Sequence, residues 1–139
     1  MKVKSNRELA FCYIYSQEIQ KQNSRAQVKL FLDSNDIEDT KTREYVKSIA
    51  SGIKQNDEEI TKIIANNLKE GWSVDRISII DLSLLKLAIY EINYKRIPYK
   101  IAISESVKIA KQYGEETSAP FINGVLASII EKEQKDSNK

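Results

Sequence analysis

The fold is decided by residues 77–93, which read ISIIDLSLLKLAIYEIN. Apolar side chains fall on every side of the helical projection of this stretch, whereas a surface helix carries them on one face only. A helix with such a pattern must be surrounded by other helices. The stretch therefore predicts the central helix of a helical bundle, with the flanking segments packed around it.

The rest of the chain combines helical periodicity with few turn residues, 4 glycines and 2 prolines in 139 residues. This composition favours long helices with short connections. Helices are predicted over residues 5–22, 25–32 and 41–69, from Pro98 to a left-handed stop at Gly114, and from Ser118 to Glu131 with a frayed tail beyond. The segment 41–69 is expected to form two helices or one bent helix, because Asn56 and Asp57 suggest a break and a new cap. The prediction is one all-α domain over residues 1–139 with about seven helices.

Composition indicates a folded protein of a reducing compartment. Hydrophobic residues make up 41% and charged residues 30%, with 22 basic and 20 acidic side chains. A disordered chain would carry fewer apolar residues and charge of one sign. The single cysteine, Cys12, rules out an internal disulfide and is predicted to be a small core side chain. The chain shows neither a secretion signal nor a long uncharged apolar stretch, which predicts a cytoplasmic protein that does not enter a membrane.

No pattern in the sequence indicates a catalytic centre. Histidine is absent, which removes the usual general base, the Ser-His and Cys-His pairs and the commonest metal ligand. Neither glycine-rich nucleotide motif occurs, and the acids between Asp33 and Asp39 lack the spacing of a calcium loop. Glu91, inside the apolar central helix, is expected to face solvent, pair with a cation or accept backbone hydrogen bonds, in a structural role. We therefore predict a binding protein with no cofactor, no metal and no catalytic residue.

Charge is unevenly distributed along the chain. Acids gather over residues 33–39, and two clusters are basic. The amino-terminal cluster is Lys2, Lys4 and Arg7, and the later cluster is Lys95, Arg96, Lys100, Lys108 and Lys111. Cations neutralise phosphates, and exposed aromatic rings stack on unpaired bases, so RNA is a possible ligand. Basic clusters on helical proteins are also often plain solvated faces, and the pattern alone leaves both interpretations open.

Four further residues carry specific expectations. Trp72 is predicted to be a core plug at a helix end rather than a ligand platform. Gly124 is expected to serve close helix packing, since a glycine inside a helix costs about 1 kcal/mol. Tyr15 and Phe121 are compatible with either a core or an exposed position.

Two segments in the second half carry a specific pattern, DLSLLKLAIYEINYKRIPYKIAISESVKIAKQYG at 81–114 and SAPFINGVL at 118–126. In order and spacing they resemble the signature of the NusB family of bacterial transcription antitermination factors. The matching positions are Lys86, Tyr90, Glu91, Pro98, Ala102, Ile103, Glu105, Lys111, Gly114, Phe121, Asn123 and Gly124. Residues 7–18, RELAFCYIYSQE, resemble the arginine-rich first helix of the family. The resemblance covers nearly the whole chain and is weakest between residues 20 and 41.

The resemblance implies two packed helical sub-bundles and a role in holding the boxA element of nascent ribosomal RNA jointly with NusE, a small-subunit ribosomal protein. The complex would help RNA polymerase to resist termination. The implied RNA-binding residues are Lys2, Lys4, Arg7, Tyr15, Ser118 and Phe121, and we add Lys111 from the later basic cluster. The implied partner-binding residues are Asp81 and Lys86. The arginine run of the family is reduced here to Arg7, and Pro120 replaces a common lysine, so greater dependence on NusE is expected.

Two other hypotheses stay open at this stage. The same fold forms the RNA-binding front domain of some ribosomal RNA cytosine methyltransferases, which also need a cofactor-binding α/β domain that these 139 residues lack. The second alternative is a protein-interaction module, monomeric or homodimeric, whose basic clusters are merely solvated. The RNA hypothesis requires Lys4 and Arg7 to share a face of the molecule with Lys111 and Phe121.

Overall fold

Six α-helices and one 3-10 turn make up the part of the chain that the structure, a computed structural model, describes, namely residues 5–21 and 25–137. The helices are α1 (Asn6–Gln20), α2 (Arg25–Ser34), α3 (Thr40–Ala65), α4 (Ile79–Tyr94), α5 (Tyr99–Tyr113) and α6 (Ser118–Ser137), with the 3-10 turn at Val74–Arg76. The described residues contain no strand. The all-α prediction is confirmed.

Helix α4 is the centre of the molecule, as its sequence predicts. It packs against α1, α3, α5 and α6, and Leu84, Leu85, Leu87 and Ala88 are each 0% exposed. Every residue from Ser83 to Glu91 is buried, and such a run covers the whole circumference of the helix, so only neighbours on all sides can bury these side chains together. The apolar pattern of residues 77–93 is thus explained by packing.

The helices form two sub-bundles, α1 to α3 and α4 to α6. A smaller core joins the first three helices, with Leu9 and Tyr13 from α1, Leu32 from α2, and Val46 and Ala50 from α3. A larger core runs through α4 and joins both halves. The two sub-bundles implied by the resemblance are confirmed.

Helix α3 is continuous over 26 residues, so of the two alternatives the one with two separate helices is wrong, and the chain does not break at Asn56 and Asp57. The Asn56 amide donates to the carbonyl of Gly52 within the same helix at 2.8 Å. Asp57 accepts a hydrogen bond from Lys86 of α4 at 2.7 Å. Both polar side chains therefore have partners that are compatible with an unbroken helix.

The connection between α5 and α6 differs from the prediction in one respect. Gly114 is extended, with φ −93° and ψ −169°, and the predicted left-handed stop is wrong. Glycine is required there by space, since a Cβ atom would lie 2.5 Å from Oγ of Ser118 and 2.9 Å from the carbonyl oxygen of Ala110.

Helix α6 begins at Ser118, as predicted, and extends past Glu131 to Ser137. Ile129 and Ile130, just before Glu131, are buried in the core. Lys132 donates from Nζ to the carbonyl of Asn66 at the end of α3, at 2.7 Å. Among the described residues, no helix has the length and apolarity that crossing a bilayer requires.

Candidate nucleic-acid interface

The first turn of α1 is anchored to α4 by an ion pair. Ser5 caps the helix by accepting from the Glu8 amide at 3.1 Å. Arg7 donates from Nε to both carboxylate oxygens of Glu91 at 3.0 Å and from Nη2 to Oε2 at 2.6 Å. The Glu91 side chain is 2% exposed and that of Arg7 is 18% exposed. The hydrogen bonds with Glu91 raise the pKa of Arg7, and Glu91 has the cationic partner that its apolar surroundings demand.

Arg7 also links this anchor to helix α5. Its Nη1 lies 3.8 Å from Oε2 of Glu105, whose other oxygen lies 3.8 Å from Nζ of Lys108. The start of α1 and helix α5 are therefore linked through this chain of charged side chains. The guanidinium faces two carboxylates, so Arg7 is above all an anchor, and an RNA contact would have to share it with Glu91. Lys2 and Lys4 lie outside the described residues.

Lysines of α5 line a cleft of about 540 Å³ between α5 and α6. Apart from the lysines, its walls are apolar or neutral polar side chains, and none of the described residues that line it is acidic. The lining residues are Tyr99, Lys100, Ile103, Ser104, Val107, Lys108, Lys111 and Asn123. The predicted Lys111 is thus in a cationic cleft, and Asn123, whose role the sequence left open, is exposed on its far wall.

Tyr15 is half-buried and packs against the larger core. Its ring lies 6.1 Å from that of Phe11, which in turn lies 5.2 Å from Tyr113 of α5. Burial is the largest of the effects that raise the pKa of the Tyr113 phenol. Tyr15 therefore serves packing on one side and leaves only part of its ring to solvent.

Ser118 and Phe121 separate in the structure. Ser118 is 3% exposed, and its hydroxyl accepts from the Glu115 amide at 3.1 Å, so it holds the turn before α6. In this structure Ser118 has a structural role, and the RNA contact expected there stays a prediction. Phe121 is half-buried, with its ring 6.1 Å from that of Trp72.

Trp72 and Gly124 contradict the sequence-based expectations. Trp72 is 52% exposed, so the predicted core plug is wrong. A Cβ atom at Gly124 would meet nothing within 4 Å, so the expected close helix packing is also wrong. Both residues line a second cleft of about 610 Å³, between the segment 66–72 that follows α3 and residues 120–132 of α6, together with Phe121.

The comparison with known proteins follows this architecture. The model of the NusB family matches residues 4–131. The chain belongs to the NusB family. A relative from Acetivibrio thermocellus, a transcription antitermination protein NusB, is 39% identical over 128 residues, which cover 91% of this chain and 87% of the relative.

Solved NusB structures have the same fold. NusB of T. maritima superimposes with a TM-score of 0.80 at 32% identity, covering 93% of this chain and 92% of the other. A structure of the antitermination factors NusB and NusE in complex with double-stranded RNA superimposes with a TM-score of 0.83 at 25% identity, covering 91% of this chain and 94% of the other. The family resemblance of the sequence and the all-helical architecture agree.

The two implied partner-binding residues of this NusB-family chain lie on α4. Lys86 is 5% exposed and donates to Glu18 at 2.6 Å and to Asp57 at 2.7 Å, which ties α4 to α1 and α3. Burial lowers the pKa of Lys86, and the hydrogen bonds with Asp57 and Glu18 outweigh that effect and raise it. In this structure the charge of Lys86 is paired within the chain, and its partner role stays a prediction.

Asp81 lies in the first turn of α4, where its amide donates to the hydroxyl of the cap Ser78 at 3.2 Å. Its side chain is 9% exposed. Within the described part of the chain, Oδ1 of Asp81 is buried with no hydrogen-bond partner. Asp81 stays a predicted contact for the partner of this NusB-family chain.

Sequence reasoning missed the cations beside Trp72. Lys69 and Lys132 line the second cleft, but they are 63 positions apart in the sequence (132 minus 69) and belong to different elements. The one signal available was the exposed turn formed by Gly71, whose φ is +87°. Trp72, beside this turn, lies at the surface.

Proposed function

We propose that this chain is a transcription antitermination factor that binds single-stranded, boxA-type RNA together with the ribosomal protein NusE, and so helps RNA polymerase to resist termination. It acts in the cytoplasm, by binding and without a catalytic step. The observation that carries the proposal is the α5–α6 cleft, whose lining includes Lys100, Lys108 and Lys111 and, among the described residues, no acid. Family membership over residues 4–131 supports the choice of RNA over another polyanion.

The charge pattern explains why a modest net charge suffices. The chain carries only +2 overall, so long-range attraction is weak and binding depends on local cations. Lysines side by side in a cleft release counterions when a phosphate chain enters. Lysine lacks the planar fork of arginine, so the lysines are expected to supply attraction and NusE to supply part of the selectivity.

A fluorescence anisotropy titration tests the proposal. Labelled boxA-type RNA is titrated with the protein across a salt series, with and without NusE. Single-stranded RNA gives a slope of about −0.7 in log K against log salt for each phosphate contact. Replacing both Lys108 and Lys111 with glutamine is expected to weaken binding and to make the slope shallower by about 1.4.

The matched control is Lys29→Gln on α2, which changes the charge by the same amount per site. The Lys29 side chain is 69% exposed and pairs with Asp33 within its own helix, away from both clefts. Its RNA binding should equal that of the unchanged protein. Absence of RNA binding at low salt, with NusE capture intact after nuclease treatment, would instead identify a pure protein-interaction module.

A further inference from the structure

The Trp72 cleft, defined by the residues that line it beside Trp72, is an aromatic recess with a cationic rim. Trp72 is 52% exposed although its ring has an aromatic neighbour, Phe121, with the two planes inclined at 34°. The recess stays open because Gly124 contributes no side chain and nothing else fills that space within 4 Å. Exposing a tryptophan is unfavourable, since large aromatic side chains gain much from burial. The exposed ring therefore suggests a surface that a ligand covers.

The charges of the cleft identify the ligand class. Lys69 and Lys132 line it, and the described residues of its walls include no aspartate or glutamate. Lys132 is held at the rim by its hydrogen bond to the carbonyl of Asn66 at 2.7 Å, and its ammonium has two further donors. A ligand that covers the exposed Trp72 ring and pairs with both lysines has a flat apolar face and a negative charge beside that face.

Asn67 also lines the cleft, but its side chain is already hydrogen-bonded within the protein. It donates to the carbonyl of Ile63 at 2.8 Å and accepts from the Ser128 hydroxyl at 2.8 Å. These bonds lock α3 to α6 and leave that wall rigid. The groups available to a ligand are therefore the Trp72 ring and the two lysines.

We infer that the Trp72 cleft binds one unpaired nucleotide of single-stranded RNA, with its base stacked on the outer face of Trp72 and its phosphates near Lys69 and Lys132. The inference rests on the proposed RNA-binding function and adds a subsite to it. The base does not enter between the two rings, because they already pack on each other with centroids 6.1 Å apart. Stacking of this kind tolerates any base.

An apolar side chain of a protein partner is the competing occupant. It would cover the ring but leave the ammonium groups of Lys69 and Lys132 beside an apolar surface without counter-charge, which is unfavourable. A nucleotide meets both requirements. The charge complementarity therefore favours RNA, and the protein occupant becomes an outcome of the test.

Trp72 is the only tryptophan in the chain, so its fluorescence reports on this cleft alone. A short, single-stranded boxA-type RNA is titrated into the protein while tryptophan fluorescence and, in parallel, the anisotropy of labelled RNA are measured. Stacking of a base should quench Trp72 with the same midpoint as the anisotropy change. Trp72→Ala should weaken RNA binding about tenfold, whereas Trp72→Phe, which keeps a ring, should retain most of the affinity.

Gly124→Leu is a second variant that keeps the fold intact. Leucine favours helix over glycine and enters open space, so the variant should melt no lower than the unchanged protein while its side chain occupies the cleft. RNA binding should fall by a similar factor to that of Trp72→Ala. Lys29→Gln is again the control and should change neither signal.

The outcomes separate this inference from the proposed function. RNA binding with unchanged affinity in Trp72→Ala, and without quenching in the unchanged protein, overturns the subsite and leaves the RNA-binding function standing. A Trp72 signal with purified NusE alone but not with RNA assigns the cleft to a protein contact and also overturns the subsite. If the unchanged protein binds no RNA, the proposed function fails and the subsite fails with it.

Discussion

Replacing Arg7 with alanine is expected to lower the free energy of unfolding by about 3 kcal/mol. The Glu91 carboxylate is 2% exposed and takes three hydrogen bonds from Arg7. Removing one partner of a buried ion pair typically costs about 3–5 kcal/mol, because the remaining charge is buried without a counter-ion. The lower end applies because the Arg7 side chain is 18% exposed, and water can enter the space it leaves. A domain of ordinary stability would lose about a third of its total.

Urea unfolding followed by circular dichroism measures the effect, with an unchanged m-value as the sign that only stability has changed. The double variant Arg7→Met with Glu91→Leu removes both charges and should recover most of the loss. Lys29→Ala, which breaks an exposed pair, should show no measurable change. The reasoning fails if Arg7→Ala unfolds at the same urea concentration as the unchanged protein and yet loses RNA binding while folded. Arg7 would then be a ligand contact first and an anchor second.

Three further predictions concern stability. Gly52→Ala should destabilise the protein by about 1–3 kcal/mol or more, because the new Cβ would lie 2.0 Å from Oη of Tyr90 and force repacking. Gly124→Ala should stabilise it by about 0.5–1 kcal/mol, because the new Cβ enters open space within a helix. Thermal unfolding shifts of the same sign for both variants would contradict this reasoning. Lys86→Ala should cost about 1.5–3 kcal/mol, the range for hydrogen bonds to charged groups, because the carboxylates of Glu18 and Asp57 that it leaves are 24% and 50% exposed and stay solvated. A folded variant with lost NusE capture would support the predicted partner role of Lys86. Burial raises the pKa of Tyr45 from 10.0 to about 12, so the neutral phenol contributes stability below pH 10 that is lost as pH rises towards 12; Tyr45→Phe should flatten that part of the curve of unfolding free energy against pH.

The helices could be predicted where the signal is local. The side chains of Ser5 and Ser78 accept hydrogen bonds at the starts of α1 and α4. The sequence itself indicates helix starts at Ser5 and Ser118. The apolar pattern of α4 required burial on all sides whatever its neighbours were. The break suggested at Asn56 and Asp57 does not form, because their partners are a carbonyl within α3 and a lysine on α4, and a capping rule cannot anticipate the second.

The candidate site divides along the same line. Family membership and the basic character of α5 were apparent from residue types and their spacing. The role of each side chain was not, because Ser118 and Lys86 are polar residues that the fold buries and Trp72 is an apolar residue that it exposes.

By itself the sequence determined the helical class, the central position of α4 and the need of Glu91 for a stabilising partner, since periodicity and local chemistry are properties of neighbouring residues. Only the tertiary structure decided which cation Glu91 pairs with, which lysines face solvent and that an open cleft lies beside Trp72. Solvent exposure depends on which helices pack together. The two walls of that cleft, at Lys69 and Lys132, come from distant parts of the chain and meet only in the folded protein.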